Sequence, residues 1–203
     1  MKIKIWLPIV IFLFLGVGVV YAYSNDLLNF NIFLSEKERD AKELVQARNF
    51  FPNEIGNFRL SNGSDDVRLE KRCEKIENNP DTANLDLKGE ACSKTIVGKY
   101  EGVSNLSVVY IHLTKFTKGV DIYRQLLERA RRDKIGNYDV MRIEKHEIAW
   151  YPESVYDFVV IQQGEKAVNG ATGISYNKIA DGANPITQYF LTQFPPELQN
   201  QVK

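Results

Sequence analysis

The chain has 203 residues, with 26 basic and 26 acidic side chains and two cysteines. A balanced charge gives no general attraction to nucleic acid, so we expect no nucleic-acid partner. Beyond the first 23 residues the chain is long enough for one domain with its own core.

The chain begins with an uncharged apolar stretch, residues 5–23, which follows Lys2 and Lys4. As a helix, this stretch would be about as long as the hydrocarbon layer of a bilayer is thick. It is either a signal anchor that stays in the membrane or a signal peptide cleaved after Ala22. We favour the anchor, because the apolar run is slightly longer than a usual signal core. We therefore expect a domain that is held at a membrane outside the cytoplasm; after cleavage it would be secreted or periplasmic.

Residues 24–50 are predicted to form a stalk and a helix, and residues 51–203 the exported domain. Ser35 is followed three residues later by Glu38, the spacing of a capping box at a helix start. Few apolar residues follow at helical spacing, so this helix is expected to be largely solvated.

Cys73 and Cys92 are the two cysteines, and the segment between them is polar and shows no period. A long shapeless loop is unusual in a compact domain. An exported domain meets oxidising conditions, so we predict a disulfide that closes this loop. A redox-active pair is disfavoured because no C-x-x-C occurs, and the spacing does not suit zinc.

The middle of the chain predicts strands followed by one long helix. "FRLSNGSDDVRLE" predicts two short strands around an Asn62-Gly63 turn. "TIVGKYEGVSNLSVVYIHLTKF" predicts a hairpin, whose second strand is apolar on both faces and therefore central in its sheet. "KGVDIYRQLLERARRDKIG" has apolar residues at helical spacing and predicts a helix that ends at Gly136.

The last third of the chain predicts further strands and a closing helix. "DVMRIEKHEIAW" is typical of one half-exposed strand, and "VYDFVVIQQGEKAVNGATGISY" of a hairpin that turns at Gly164. Asn184 and Pro185 are a good N-cap and first position for a last helix. The order predicts an α+β fold with a mainly antiparallel sheet, covered by helices on one face.

Three residues are candidates for a site: His112, Tyr110 and Asp157. His112 and Tyr110 lie on one face of the predicted central strand. Asp157 shares a strand face with apolar residues, and burial there would raise its pKa. A structural role is favoured for His112, since a lone histidine is more often structural than catalytic. It is also favoured for Asp157, which lies near the start of a strand, where the face is expected to be solvated. We found no P-loop and no G-x-S-x-G, and we predict no cofactor and no metal.

The region from about residue 95 to 195 resembles the PsbP/Mog1-like α+β proteins in its layout. The stretches "LSVVYIHLTKFTKGVDIYRQLLERA" and "TQYFLTQFPPEL" carry this resemblance. It implies a binding or assembly-factor domain that attaches to a larger membrane complex.

The sequence favours a non-catalytic domain that serves as a binding or assembly accessory to an envelope complex, with an envelope or membrane protein as its partner. One alternative is an enzyme with a site near His112, Tyr110 and Asp157. Another is a pocket for a lipid or small ligand between the sheet and the helices.

Overall fold

The structure is a computed structural model, and it describes residues 34–61, 66–76, 89–128, 130–167, 173–176 and 178–197. The apolar stretch, the Ala22 cleavage site, most of the stalk and the Asn62-Gly63 turn lie outside the described residues. Within those ranges, no helix combines the length and apolarity that crossing a membrane requires.

The first described helix is α1 (Glu36–Arg48). The Ser35 hydroxyl accepts from the backbone N–H of Glu38 at 3.3 Å, and the Glu38 carboxylate accepts from the backbone N–H of Ser35 at 2.8 Å. The predicted capping box is therefore confirmed. Ala47 is the buried residue of this helix, as its thin apolar stripe predicts. The chain divides into two compact units within α1, at Lys42 and Glu43.

Among the described residues, ten strands form one antiparallel sheet, so the predicted α+β class with a mainly antiparallel sheet is confirmed. The order in space is β1-β2-β4-β5-β9-β8-β7-β6, with β3 also paired to β4 and β10 to β9. As predicted, β5 lies inside the sheet. The strands are β1 (Glu54–Ile55), β2 (Phe58–Leu60), β3 (Val67–Ile76), β4 (Gly89–Gly102), β5 (Ser107–Lys118), β6 (Arg131–Ile135), β7 (Tyr138–Glu144), β8 (Glu147–Trp150), β9 (Phe158–Lys166) and β10 (Ile174–Ser175).

The two faces of the sheet carry different helices. Leu113 of β5 lies on the face that packs into the core, together with Phe190 of α3 (Pro185–Gln193). Phe116 has the opposite parity along β5, so it lies on the second face. Its ring centroid is 4.7 Å from that of Tyr123 in α2 (Val120–Leu127). The prediction that the helices cover one face is therefore wrong, because α2 lies over the other.

The predicted long helix ends early. After α2, residues Arg131–Ile135 form β6, which pairs with β7 through a turn at Gly136. Gly136 has φ +59°, a left-handed conformation that suits this turn. Ile135 is buried, and Asp133 pairs with Arg142 across the two strands at 2.7 Å. These tertiary contacts stabilise a strand. Residues 131–134 are all charged, so a helix formed by them would have no apolar face to bury.

Two other predicted elements are also wrong in detail. The single strand predicted around His146 is a hairpin of β7 and β8, and His146 lies in its turn. Gly164 does not make a turn, since β9 runs through it to Lys166. A Cβ on Gly164 would lie 2.6 Å from Ile174, so the glycine allows β10 to approach closely.

The predicted disulfide is present between Cys73 and Cys92. The two residues are direct partners in the β3–β4 ladder, with Cα atoms 4.1 Å apart. They therefore lie within two paired strands, and residues 74–76 and 89–91, which were predicted to belong to a shapeless loop, are parts of these strands. Residues 77–88 lie outside the described ranges.

Candidate functional site

A groove of about 660 Å³ lies on the second face of the sheet, beneath α2. Its volume falls within the range of small-molecule sites, roughly 300–1,000 Å³. Residues of β3, β4, β5, β7, β8 and β9 form its floor and edges, and residues of α2 form one wall. The groove is therefore built by pairings between distant parts of the chain.

The floor follows from the register of β5 and β9. His112 is opposite Val160, and Thr114 is opposite Phe158. All four side chains line the groove, because paired residues in a ladder point to the same face. Thr95 of β4 extends the same row and forms a hydrogen bond with Thr114, with 3.1 Å between their Oγ1 atoms.

The wall under α2 is aromatic. The ring of Phe116 packs edge-on against Phe158 with centroids 5.6 Å apart, and it also contacts Tyr123 of α2. The Tyr123 hydroxyl donates to Glu74 at 3.1 Å, which ties α2 to β3. Leu127 adds an aliphatic side chain to this wall. An apolar molecule would gain favourable burial here.

His112 is the polar residue at the centre of the floor. Its Nε2 atom is buried and has no hydrogen-bond partner among the described residues. Burial lowers the pKa of His112 from its ordinary value of 6.5, while a hydrogen bond with the Gln162 side chain acts in the opposite direction. The imidazole is therefore neutral at pH 7, and its Nε2 atom is covered by neighbouring atoms without a hydrogen bond.

Charged groups stand at both ends of the groove. At one end, Glu70 is paired with Arg68 at 2.6 Å, and Arg72 is paired with Glu74. At the other end, the carboxylate of Glu147 accepts from the amide nitrogen of Gln162 at 3.3 Å. Burial raises the pKa of Glu147, and the hydrogen bond from Gln162 opposes this shift.

The structure brings together two of the three predicted site residues. The ring of Tyr110 lies beside His112, with centroids 6.4 Å apart, although Tyr110 does not line the groove. Asp157 is used elsewhere: its carboxylate accepts from the backbone N–H of Phe116 at 2.7 Å. Its own N–H donates to the carbonyl of Thr114 at 2.8 Å. Asp157 therefore supports the backbone at the start of β9 and is absent from the groove lining.

The disulfide region contains a possible set of metal ligands. Ligand atoms of Cys73, Glu90 and Cys92 lie within 4.8 Å of one another, the one such cluster in the part of the chain that is described. Both sulfur atoms are in the disulfide, and metals bind the thiolate form. With the disulfide intact, this cluster does not suit a metal.

Gln162 and Glu147 were missed in the sequence, although one signal was available. Gln162 is a polar residue in the apolar strand "FVVIQQG" and has the same parity as Val160. Pairing of β5 with β9 places it diagonally from His112, and pairing of β8 with β9 places Glu147 opposite Gln162. Neither pairing is visible in local sequence patterns.

No protein-family model matches this chain, and no curated protein or solved structure matches it either. The layout resemblance to PsbP/Mog1-like proteins therefore stays a prediction.

Proposed function

We propose that this chain is a small-ligand-binding domain whose site is the groove beneath α2. The observation that carries the proposal is the buried, unpartnered Nε2 atom of His112 on the floor of a groove of about 660 Å³. A buried polar atom without a partner costs free energy in the free protein. A ligand that supplied the missing hydrogen bond would remove this cost.

The arrangement favours binding over catalysis. Asp157, the carboxylate predicted to act near His112, is engaged by the backbone of Phe116. The Gln162 side chain that interacts with His112 ends in an amide, which does not exchange protons as an acid or base. The enzyme alternative, a site near His112, Tyr110 and Asp157, therefore loses Asp157.

The location of the domain is a second part of the proposal. Residues 5–23 would hold it at a membrane, with the folded part outside the cytoplasm, where a disulfide between Cys73 and Cys92 persists. There it would serve as a binding accessory to an envelope protein. The test is N-terminal sequencing of chain recovered from the membrane fraction and from the soluble fraction. A chain that starts at Met1 in the membrane supports the tether, and one that starts at Tyr23 in solution contradicts it.

The binding proposal is tested by affinity selection. Purified full chain in lipid nanodiscs is incubated with a small-molecule extract of its native host, and retained compounds are identified by mass spectrometry. The Val160→Trp variant places an indole on the groove floor. The matched control is Val155→Trp, because Val155 is 70% exposed and lies outside the lining.

We expect at least one compound that is retained by the unmodified chain and by Val155→Trp but lost in Val160→Trp. Circular dichroism verifies that both variants are folded. If Val160→Trp does not fold, Ala130→Trp fills the groove from its edge instead. The proposal is wrong if every retained compound is held equally by the blocked and control variants, or if none is retained.

A further inference from the structure

We propose that the ligand of this groove has an apolar body and a neutral or cationic hydrogen-bond donor, a hydroxyl or an amine, which His112 Nε2 accepts. This inference rests on the proposed binding function and specifies the ligand's chemistry. It excludes carboxylate ligands such as fatty acids.

The hydrogen bonds around His112 decide which ring nitrogen carries the proton. The amide nitrogen of Gln162 is turned to Glu147, to which it donates at 3.3 Å. The Gln162 oxygen is then the atom that accepts from the imidazole of His112. We assign this bond to Nδ1–H, because Nε2 has no partner. The neutral ring therefore has its lone pair on Nε2, which calls for a donor on the ligand.

The charges of the lining favour the same chemistry. Glu70 and Arg72 are compensated by ion pairs with Arg68 and Glu74. Within the described residues, the Glu147 carboxylate has no ion-pair partner, and Gln162 is its hydrogen-bond donor. An anionic ligand would face this carboxylate without a free cation to balance it. A neutral ligand avoids this repulsion, and a cationic one gains from it.

The apolar wall sets where the rest of the ligand lies. Phe158 is two residues from Val160, the partner of His112, so it lies one pleat along β9. Two residues of a strand span about 7 Å. Phe116 and Tyr123 continue the wall beyond Phe158. A flat apolar body with its donor group at one end would contact these rings, and the donor would reach the buried Nε2 atom when the side chains that cover it move aside.

The experiment compares four ligands that share one naphthalene ring system. They are 2-naphthylmethanol, 2-naphthylmethylamine, 2-naphthoate and 2-methylnaphthalene, and they differ in the polar group alone. Binding to the full chain in lipid nanodiscs is measured by equilibrium dialysis at pH 7.5, and empty nanodiscs correct for partition into lipid. We expect the alcohol and the amine to bind about tenfold more tightly than 2-methylnaphthalene, the typical effect of one hydrogen bond. The carboxylate should bind most weakly.

Two variants assign the effect to the groove. In His112→Leu, the advantage of the alcohol over 2-methylnaphthalene should disappear. In Val160→Trp, the binding of all four compounds should fall, while Val155→Trp should bind as the unmodified chain does.

The results distinguish a wrong ligand chemistry from a wrong binding function. If 2-naphthoate binds most tightly and Val160→Trp removes its binding, the ligand chemistry is wrong and the binding function stands. The same holds if the alcohol and amine bind no better than 2-methylnaphthalene. If none of the four compounds binds above the empty nanodiscs, the inference is overturned, and the extract experiment decides the binding function separately.

Discussion

Replacing His112 with leucine should stabilise the free protein. The buried Nε2 atom has no partner among the described residues, and an unsatisfied buried polar group costs about 1–3 kcal/mol. Leucine is of similar size and brings no polar atom. Part of the gain is offset, because Gln162 loses its bond to the imidazole and keeps the one to Glu147. We therefore expect the free energy of unfolding at pH 8 to rise by about 1 kcal/mol.

Thr114→Val is the matched control, because it changes a neighbouring groove residue that does have a partner. It removes the 3.1 Å hydrogen bond to Thr95 and should lower the free energy of unfolding by about 1 kcal/mol. Both variants and the full chain are unfolded with guanidinium in nonionic detergent, and the midpoints are followed by circular dichroism. If His112→Leu is destabilised as much as Thr114→Val, then Nε2 is not an unsatisfied group.

The difference between the unmodified chain and His112→Leu should also depend on pH. Burial lowers the pKa of His112 below its ordinary 6.5 in the folded state, so the unfolded chain binds the proton first as pH falls. Above pH 6.5 His112 is neutral in both states, so its protonation does not affect stability. As the pH falls below 6.5, protonation of His112 in the unfolded chain progressively destabilises the folded form, until the folded form is also protonated. The stability gain of His112→Leu should therefore be larger at pH 5 than at pH 8.

Three further predictions concern the scaffold that holds the groove, and chemical denaturation tests each. Reducing the Cys73–Cys92 disulfide, whose residues are 19 apart, should lower the free energy of unfolding by about 3 kcal/mol; an unchanged midpoint would contradict a structural disulfide. In Gly98→Ala the new Cβ would lie 2.2 Å from the buried Phe51 ring, which should cost about 1–3 kcal/mol; a neutral result would mean that the ring is free to move. Asn184→Ala removes the N-cap of α3 and should cost about 1 kcal/mol, whereas Asn184→Asp keeps the cap and should cost less.

Features that depend on neighbouring residues were predictable from the sequence. The capping box at Ser35 and the N-cap at Asn184 are confirmed, because each is a hydrogen bond across two or three residues. The central position of β5 was also predictable, since a strand with apolar residues on both faces is typical of the interior of a sheet, and β5 lies between β4 and β9. Local chemistry was sufficient for these elements.

Features that depend on tertiary contacts were not predictable. The sequence predicts a helix that continues through residues 131–135, yet burial of Ile135 and the Asp133–Arg142 ion pair stabilise β6 there. Gly164 is a plausible turn residue, but its role is to let β10 approach β9. In both cases, contacts with another strand outweigh the local preference.

The candidate site was likewise predictable from the sequence only in part. His112 was a candidate from the sequence because it is a histidine on an apolar strand. Its unpartnered nitrogen and its link to Glu147 through Gln162 follow from the β5–β9 and β8–β9 pairings, which no local pattern reveals. Asp157 has a suitable residue type and a partly apolar setting, but its carboxylate is engaged by the backbone of Phe116.

The most direct test of the account is a long-range ¹H–¹⁵N spectrum of the histidine side chains of the full chain. The chain has two histidines, His112 and His146, so few signals need to be assigned. At pH 7.5 we expect a neutral His112 ring protonated at Nδ1. Saturating 2-naphthylmethanol should shift its Nε2 resonance and leave His146 unchanged. A His112 ring protonated at Nε2, or an Nε2 resonance that the alcohol does not move, would contradict the account.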